Sequence, residues 1–521
     1  MFMDEFNRAY QILHPFTFQS KYAAWWAAQE SNDRASVREI SDEDLDFGLL
    51  ILRLCLLCMQ CLPHPKYPTT GILQLYPNLL EAWLDSTADE LDKSRPSRRP
   101  SLYTIQHRFY HVNYLKSYAR IRECWSVLAT TIKDAHELKL HRKTPGVSLS
   151  ELEMELRRRT FWSLYVWDRV MATTFGHWPL IPEGYFDIDP PHDNLEAFTV
   201  YPYVLTPFSD RVFHVKICRY LTAFMSPPSW QIDQYSPVVV ADFAQRFQQV
   251  IVDQLPPAFW LHHPDTAWDA ICPALPIKRQ MLHVLIYNIR ADLYKGFVDP
   301  CHSLQPGQPI QTQHPADPLA LSHRRTLIHT TCQAIHAILG FYTMTADKEG
   351  AMPEHHFLLP ILLVEALASL GVCLLSIHRD TCSLAMDGIQ ISPDPHLQYS
   401  YAAFFDGHRL LCQEATHRAI AKQGLEILES LHNTLCVSHP RPGPTESNGG
   451  AAVPMGAYII SPGSGAVAFP LEHALASLYS KGGRIHRGTV VSLPKWLPSL
   501  LDYPNRSWLF QDPAAFGALI M

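Results

Sequence analysis

Apolar residues recur along this chain at three- and four-residue steps over long windows, the period of a helix with one buried face. The clearest stripe is Ile121, Trp125, Leu128, Ile132, Ala135 and Leu138, which predicts a helix ending near His141 and Arg142, before Pro145 and Gly146 stop it. The next helix has a readable start. Ser150 is placed to cap it and Glu153, three residues on, to bond back to the cap amide. Glu151, Glu153 and Glu155 suit the positive end of the helix dipole, Arg158 and Arg159 follow Glu155 at ion-pair spacing, and Phe161, Trp162, Tyr165, Val166 and Val170 form a bulky buried face. From Trp178 to Asn194, Pro179, Pro182, Pro190 and Pro191 each remove a backbone donor, so this stretch reads as a long ordered connection.

Helical patterning returns over 213–225, 238–254, 278–297, 324–342, 355–378 and 407–432. No series of alternating β-branched runs bounded by hairpin turns appears, so the expected fold class is all-α: a large helical body with Pro-rich connections and an irregular tail. The expected organisation is a first helical region over 10–300, its helical continuation over 319–435, and a linker with irregular tail over 436–521. Cys301 to Pro318 and Cys436 to Gly456 carry the Pro, Gln, Gly and Ser content of surface linkers, and Val490 to Leu501 reads as a further helix or a docked apolar strand. No repeat occurs at a solenoid period.

Composition sharpens this picture. Of 521 residues 47% are hydrophobic and 18% charged, enough to bury a substantial core. The net charge of −7 carries no basic footprint for duplex binding, and the densest basic run, Lys93, Arg95, Arg98 and Arg99, reads as a solvated loop rather than a nuclear-import patch. Asp4, Glu5 and Arg8, with no long apolar run behind them, are unlike a secretory signal. Phe47 to Leu62 is short and interrupted by Arg53, and Phe357 to Leu375 contains Pro360 and Glu365, so both read as core helices and no membrane partner is expected. Twelve scattered cysteines read as reduced thiols.

Candidate chemistry is sparse. Cys55, Cys58 and Cys61 lie on an apolar helix with no fourth ligand nearby, which favours core packing over zinc. His329, Cys332 and His336 share one helical face that could offer three metal ligands, but no carboxylate accompanies them. The adjacent pairs His262-His263 and His355-His356 diverge by about 100° on a helix. Asp42, Glu43, Asp44 and Asp46 could hold magnesium against a diphosphate, yet Ser41 ahead of them marks an acidic first helical turn. P-loop, dinucleotide and nucleophile-elbow motifs are missing, so no catalytic, cofactor-binding or metal residue is assigned and the chain is not expected to be an enzyme.

One group of residues resembles a known family. Glu155, Arg157, Arg158, Arg159, Phe161, Trp162, Tyr165, Asp168 and Arg169 are similar to the E-x-x-R-R-x-x-F-W-x-x-Y-x-x-D-R signature of the fungal-specific transcription factor domain, the middle homology region of zinc-cluster (Zn2Cys6) regulators. Ala135, Leu138, Leu140, His141 and Arg142 resemble its A-x-x-L-G-L-H-R helix end, with Lys139 where the family has Gly, and Gly176 and Pro179 resemble its G-R-P turn. His14-Pro15, Thr104-Ile105-Gln106, Trp125 and Leu255-Pro256-Pro257 extend the resemblance over about residues 10 to 300. It implies a nuclear, all-α regulatory domain of a transcription regulator, in which Arg158, Arg159, Phe161, Trp162, Tyr165, Asp168 and Arg169 are structural. It also implies partners: other transcription factors, self-association or a small-molecule effector.

Family members carry a basic six-cysteine zinc module, and this resemblance begins near residue 10. DNA contact is therefore expected only through a missing module or a partner, with zinc only in such a module. The tail from Cys436, with four acids against six Lys and Arg, is unlike an acidic activation segment. Three functions stay open: a regulator whose DNA reader lies elsewhere, a regulatory or ligand-sensing partner of another factor, and a helical enzyme using the His329 face or the Asp42 cluster.

Overall fold

A computed structural model describes residues 1–32, 41–60, 62, 77–94, 99–118, 120–143, 148–175, 178–192, 209–224, 237–297, 318–346, 358–386, 395–416 and 419–438. Among the described residues there are helices and turns and no strand. After a short helical lead over residues 3–10, the longer helices are α1 (Pro15–Asn32), α2 (Asp42–Met59), α3 (Pro77–Lys93), α4 (Leu102–Ser117), α5 (Ile121–Glu137), α6 (Glu151–Phe175), α7 (Ser209–Phe224), α8 (Pro237–Phe247), α9 (Leu275–Tyr294), α10 (Pro318–Ala346), α11 (Leu358–Met386), α12 (Pro395–Glu414) and α13 (Ala419–Ser438). Described residues of Met1–Ile286 and Ala337–Leu359 form one compact unit, and those of Tyr287–His336 and Pro360–Lys481 a second. Val490 to Leu501, the Cys301 to Pro318 linker up to residue 317 and the tail beyond residue 438 lie outside the described residues.

In the first unit α2 packs on α3 and α4, α4 on α5, and α6 on α7. Helix α2 begins at Ser41, whose Oγ accepts the Asp44 amide at 3.1 Å, and it is buried almost continuously from Asp46 to Met59. Cys55 and Cys58 are buried there as free thiols, with Cys55 pushed up to about 12 by desolvation, and Cys61 lies outside the described residues. The four acids at its start do not converge. Asp42 and Glu43 are exposed, Asp44 pairs with Lys21 at 3.0 Å, and buried Asp46 accepts the hydroxyls of Ser101 and Thr104 at 2.8 and 2.7 Å. Those two hydroxyls also form the capping box of α4, so one carboxylate ties the starts of two neighbouring helices.

The stripe predicted for α5 is buried at Leu128, Ile132 and Ala135, but the helix ends at Glu137, four residues early. The Leu140 amide bonds to Ala135 O at 2.9 Å and the Lys139 amide to His136 O at 3.0 Å, the paired bonds that close a helix around a left-handed residue. Lys139 holds that position at φ 59°. Helix α8 likewise stops short of its predicted end, and Gln248–Val252 continues it as a single wider turn.

In the second unit the predicted helix over 407–432 is two helices, α12 and α13, with α12 giving way to a turn at Ala415 and Thr416. Close approach here depends on glycine. A Cβ on Gly371 of α11 would sit 2.8 Å from Leu431 Cγ and 3.0 Å from a Phe404 ring carbon, and one on Gly424 of α13 would overlap Val364 of α11. The apolar stretch of α11, Leu359–His378, is long and apolar enough to cross a membrane, and 72% of it is buried. In α10, His329 is exposed while Cys332 is buried, and the His336 ring lies flat on Tyr399 with centroids 5.0 Å apart. The three candidate ligands therefore do not converge.

Candidate functional site: the signature helix and its crevice

The capping box read at Ser150 forms: the Glu153 amide bonds to Ser150 Oγ at 3.2 Å and the Ser150 amide to Glu153 Oε2 at 3.0 Å. These bonds hold the Glu153 carboxyl below its ordinary range. One turn on, buried Glu155 accepts Arg158 and Arg159, each at 3.1 Å, and the backbone amide of His192 at 2.8 Å. Arg159 is buried too and reaches Gln11 Oε1 and, at 2.9 Å, the His192 carbonyl. A single ion pair thus joins α6 to both the chain's first turns and the end of the 178–192 connection.

The aromatic residues continue this attachment. Phe161, Trp162 and Tyr165 surround Phe186 with centroid distances of 5.4, 5.4 and 5.6 Å, and Trp162 Nε1 donates to Asp189 O at 2.7 Å. Asp168 is fully buried, and its carboxylate accepts the amides of Leu180 and Ile181 at 2.8 and 2.9 Å and Arg169 at 2.7 Å. Burial nonetheless lifts the Asp168 carboxyl above its usual range, against the pull of the two amides and Arg169. Arg169 stacks on Tyr165 and donates to Ile181 O at 2.6 Å, Glu183 at 3.2 Å and Thr222 Oγ1 at 2.8 Å. Every polar side chain of the signature is engaged with main chain or a fixed partner. That leaves no nucleophile or base aimed at open space.

Beside this helix lies a narrow crevice with about 10 Å³ of room, enough for one water, lined by Tyr10, Arg159, Trp162, Trp167, Arg211 and Val215 among others. Arg211 stacks over Tyr10 with its guanidinium carbon 4.7 Å from the ring centroid. Behind Trp167 is Lys116, whose Nζ sits 2.8 Å from the indole centroid and 3.2 Å from Asn113 Oδ1. Burial holds this amine well below its ordinary range. A lysine in the last turn of a helix gave no sequence signal, because a cation there is ordinary and only the fold shows that this end of α4 is covered.

A second buried polar cluster was also missed. Arg53, 1% exposed, bridges Asp85 at 2.9 Å and Asp89 at 2.5 Å, and Arg120 reaches Asp85 from the other side at 3.0 Å. His111 Nε2 stands 3.7 Å from Asp89 and 4.0 Å from Asp85, so these three could hold a cation. Two carboxylates already balanced by two guanidinium groups make a poor cation site, and burial with Arg53 pushes His111 well below its usual range. The i, i+4 spacing of Asp85 and Asp89 was visible; their partners come from other helices.

Comparison with known proteins agrees with this geometry. Residues 1–234 match the model of the fungal specific transcription factor domain. The chain is 27% identical over 295 residues to the probable transcription factor sol4 of Alternaria solani, covering 55% of this chain and 50% of that protein. It is 24% identical over 361 residues to the transcription factor xilB of Penicillium rubens, covering 66% and 51% respectively. A putative transcriptional regulatory protein of Saccharomyces cerevisiae is 29% identical over 92 residues, 18% of this chain and 12% of that protein. The chain spans about half the length of the first two relatives. No solved structure matches it.

Proposed function

We propose that this chain, whose residues 1–234 match the fungal specific transcription factor domain, is the regulatory body of a fungal transcription regulator and works in the nucleus. The observation that carries this reading is the signature helix α6, whose charged and aromatic residues hold the neighbouring main chain and build no reaction centre. Its relatives are transcription factors, which supports a non-catalytic role. Regulation then comes from binding: other factors, a second copy, or an effector, with DNA reached through a zinc-cluster module or a partner. The burial of α11 supports its reading as a core helix rather than a membrane span.

At the crevice beside α6 a small effector would meet two guanidinium groups among Tyr10, Trp162 and Trp167, and the side chains would have to move apart, since the space there holds about one water. The test is a reporter assay in which the whole chain is fused to an unrelated DNA-binding domain. The reading expects reporter output to differ from that of the DNA-binding domain alone and a tagged chain to concentrate in nuclei. Unchanged output together with an evenly cytoplasmic tag would sink it.

A further inference from the structure

The break between α12 and α13 brings together residues that lie far apart in sequence. His408 and Cys412 stand four residues apart on α12, and His432 and Cys436 four apart on α13, so each pair shares one helical face. The two imidazoles meet face to face, with centroids 3.9 Å apart and planes inclined by 13°. Each thiol sits over its own histidine: Cys412 Sγ is 3.7 Å from His408 Nδ1, and Cys436 Sγ is 3.5 Å from His432 Nε2. Cys412 is exposed and Cys436 half-buried, whereas Cys55, Cys58, Cys124, Cys218, Cys332 and Cys373 are buried.

We propose that His408, Cys412, His432 and Cys436 form a binding site for a soft transition-metal cation, zinc in the first instance, that staples α12 to α13. Two thiolates and two imidazoles are the donor set that zinc prefers in structural sites. Zinc–sulfur and zinc–nitrogen bonds of about 2.3 and 2.0 Å at a tetrahedral angle separate the two donors by roughly 3.5 Å, the spacing seen within each His/Cys pair. The stacked rings already hold the two pairs against each other. The rings are nearly parallel and no three of the four donor atoms lie within 4.8 Å of one another, so capture requires the imidazoles to unstack and turn away from Phe404 and Phe405. On binding, each cysteine releases its thiol proton to solvent, and two thiolates neutralise the dication while both imidazoles stay neutral.

Cobalt(II) is the probe, because thiolate ligation gives it a sulfur-to-metal charge-transfer band and tetrahedral ligation gives intense visible bands. The purified, reduced and metal-stripped full chain is titrated with cobalt and then back-titrated with zinc. The expected result is saturation near one ion per chain, both sets of bands, and their loss on adding zinc. The double variant C412S/C436S should lose the charge-transfer band and at least ten-fold in affinity, while its circular dichroism matches that of the parent. A second variant, H432A, should weaken uptake while keeping thiolate absorption. Uptake and spectra unchanged in C412S/C436S would overturn the proposal, as would a parent chain that takes up no cobalt.

Discussion

Lys139 shows how one side chain can sit at odds with the backbone around it. The end of α5 needs a left-handed residue there, and a side chain in that conformation costs about 1–2 kcal/mol. Glycine escapes that cost but loses about 0.5–1 kcal/mol through its freer unfolded chain. Lys139→Gly is therefore expected to raise unfolding stability by up to about 1 kcal/mol, read as a higher urea midpoint at unchanged slope. A lower midpoint would mean that the lysine makes a compensating contact. The family pattern made this position visible beforehand, since Gly is the usual residue in its helix end; the φ of 59° supplies the reason.

His214 gives the acid response. Burial, with Arg211 adding to it, lowers its imidazole to about 4, although its Nδ1 lies 2.7 Å from Asp210 O. The unfolded chain, titrating near about 6.5, binds the proton more readily, so stability rises with pH across this window. This contribution is fully present above about pH 6.5 and is lost as pH falls through about 4, amounting to at most about 3 kcal/mol. Denaturation midpoints of His214→Asn measured across that range should show a flatter acid limb than the parent. An identical limb in both would assign the acid sensitivity elsewhere.

Among elements, the helical stretches were legible because their buried faces repeat at helical period; their ends were less so. Helix α5 was read too long because Leu138 and Leu140 keep the apolar pattern going through the turn that ends it. The 407–432 stretch was read as one helix because Ala415 to Arg418 contains neither Gly nor Pro. Had it been continuous, a rise of about 1.5 Å per residue would place His408 and His432 roughly 36 Å apart. What holds α13 against α11 is close packing at Gly424, and here the local and tertiary preferences oppose each other. Gly424→Ala gains about 1 kcal/mol of helix propensity but forces a methyl group into Val364. Overpacking costs about 1–3 kcal/mol, so a net loss of up to about 2 kcal/mol is expected in thermal or urea unfolding. A stabilised variant would show that the two helices part easily.

For the whole molecule, the all-α architecture was readable from the missing strand pattern, and the signature located α6 and the connection above it. The buried polar clusters were not readable, because Arg53 meets Asp85 and Lys116 meets Trp167 only across helices distant in sequence. A net charge of −7, with Lys and Arg densest in sequence only at Lys93, Arg95, Arg98 and Arg99, offers little attraction to the phosphates of a duplex. In a gel-shift titration at physiological salt this chain should leave labelled duplex DNA unshifted at micromolar concentration. A shift that weakens steeply with added salt would show a phosphate-binding surface of its own.

The connection above α6 is held by its spine. Asp168, Glu155 and Trp162 take hold of the main-chain groups of Leu180, Ile181, His192 and Asp189, while Trp178 and Tyr185 turn their rings to solvent, 58% and 69% exposed. A grip on peptide groups is blind to the letters they carry. Lineages could thus rewrite the outward residues of this segment while its path stays put, which makes it a place where regulators built on one scaffold can diverge.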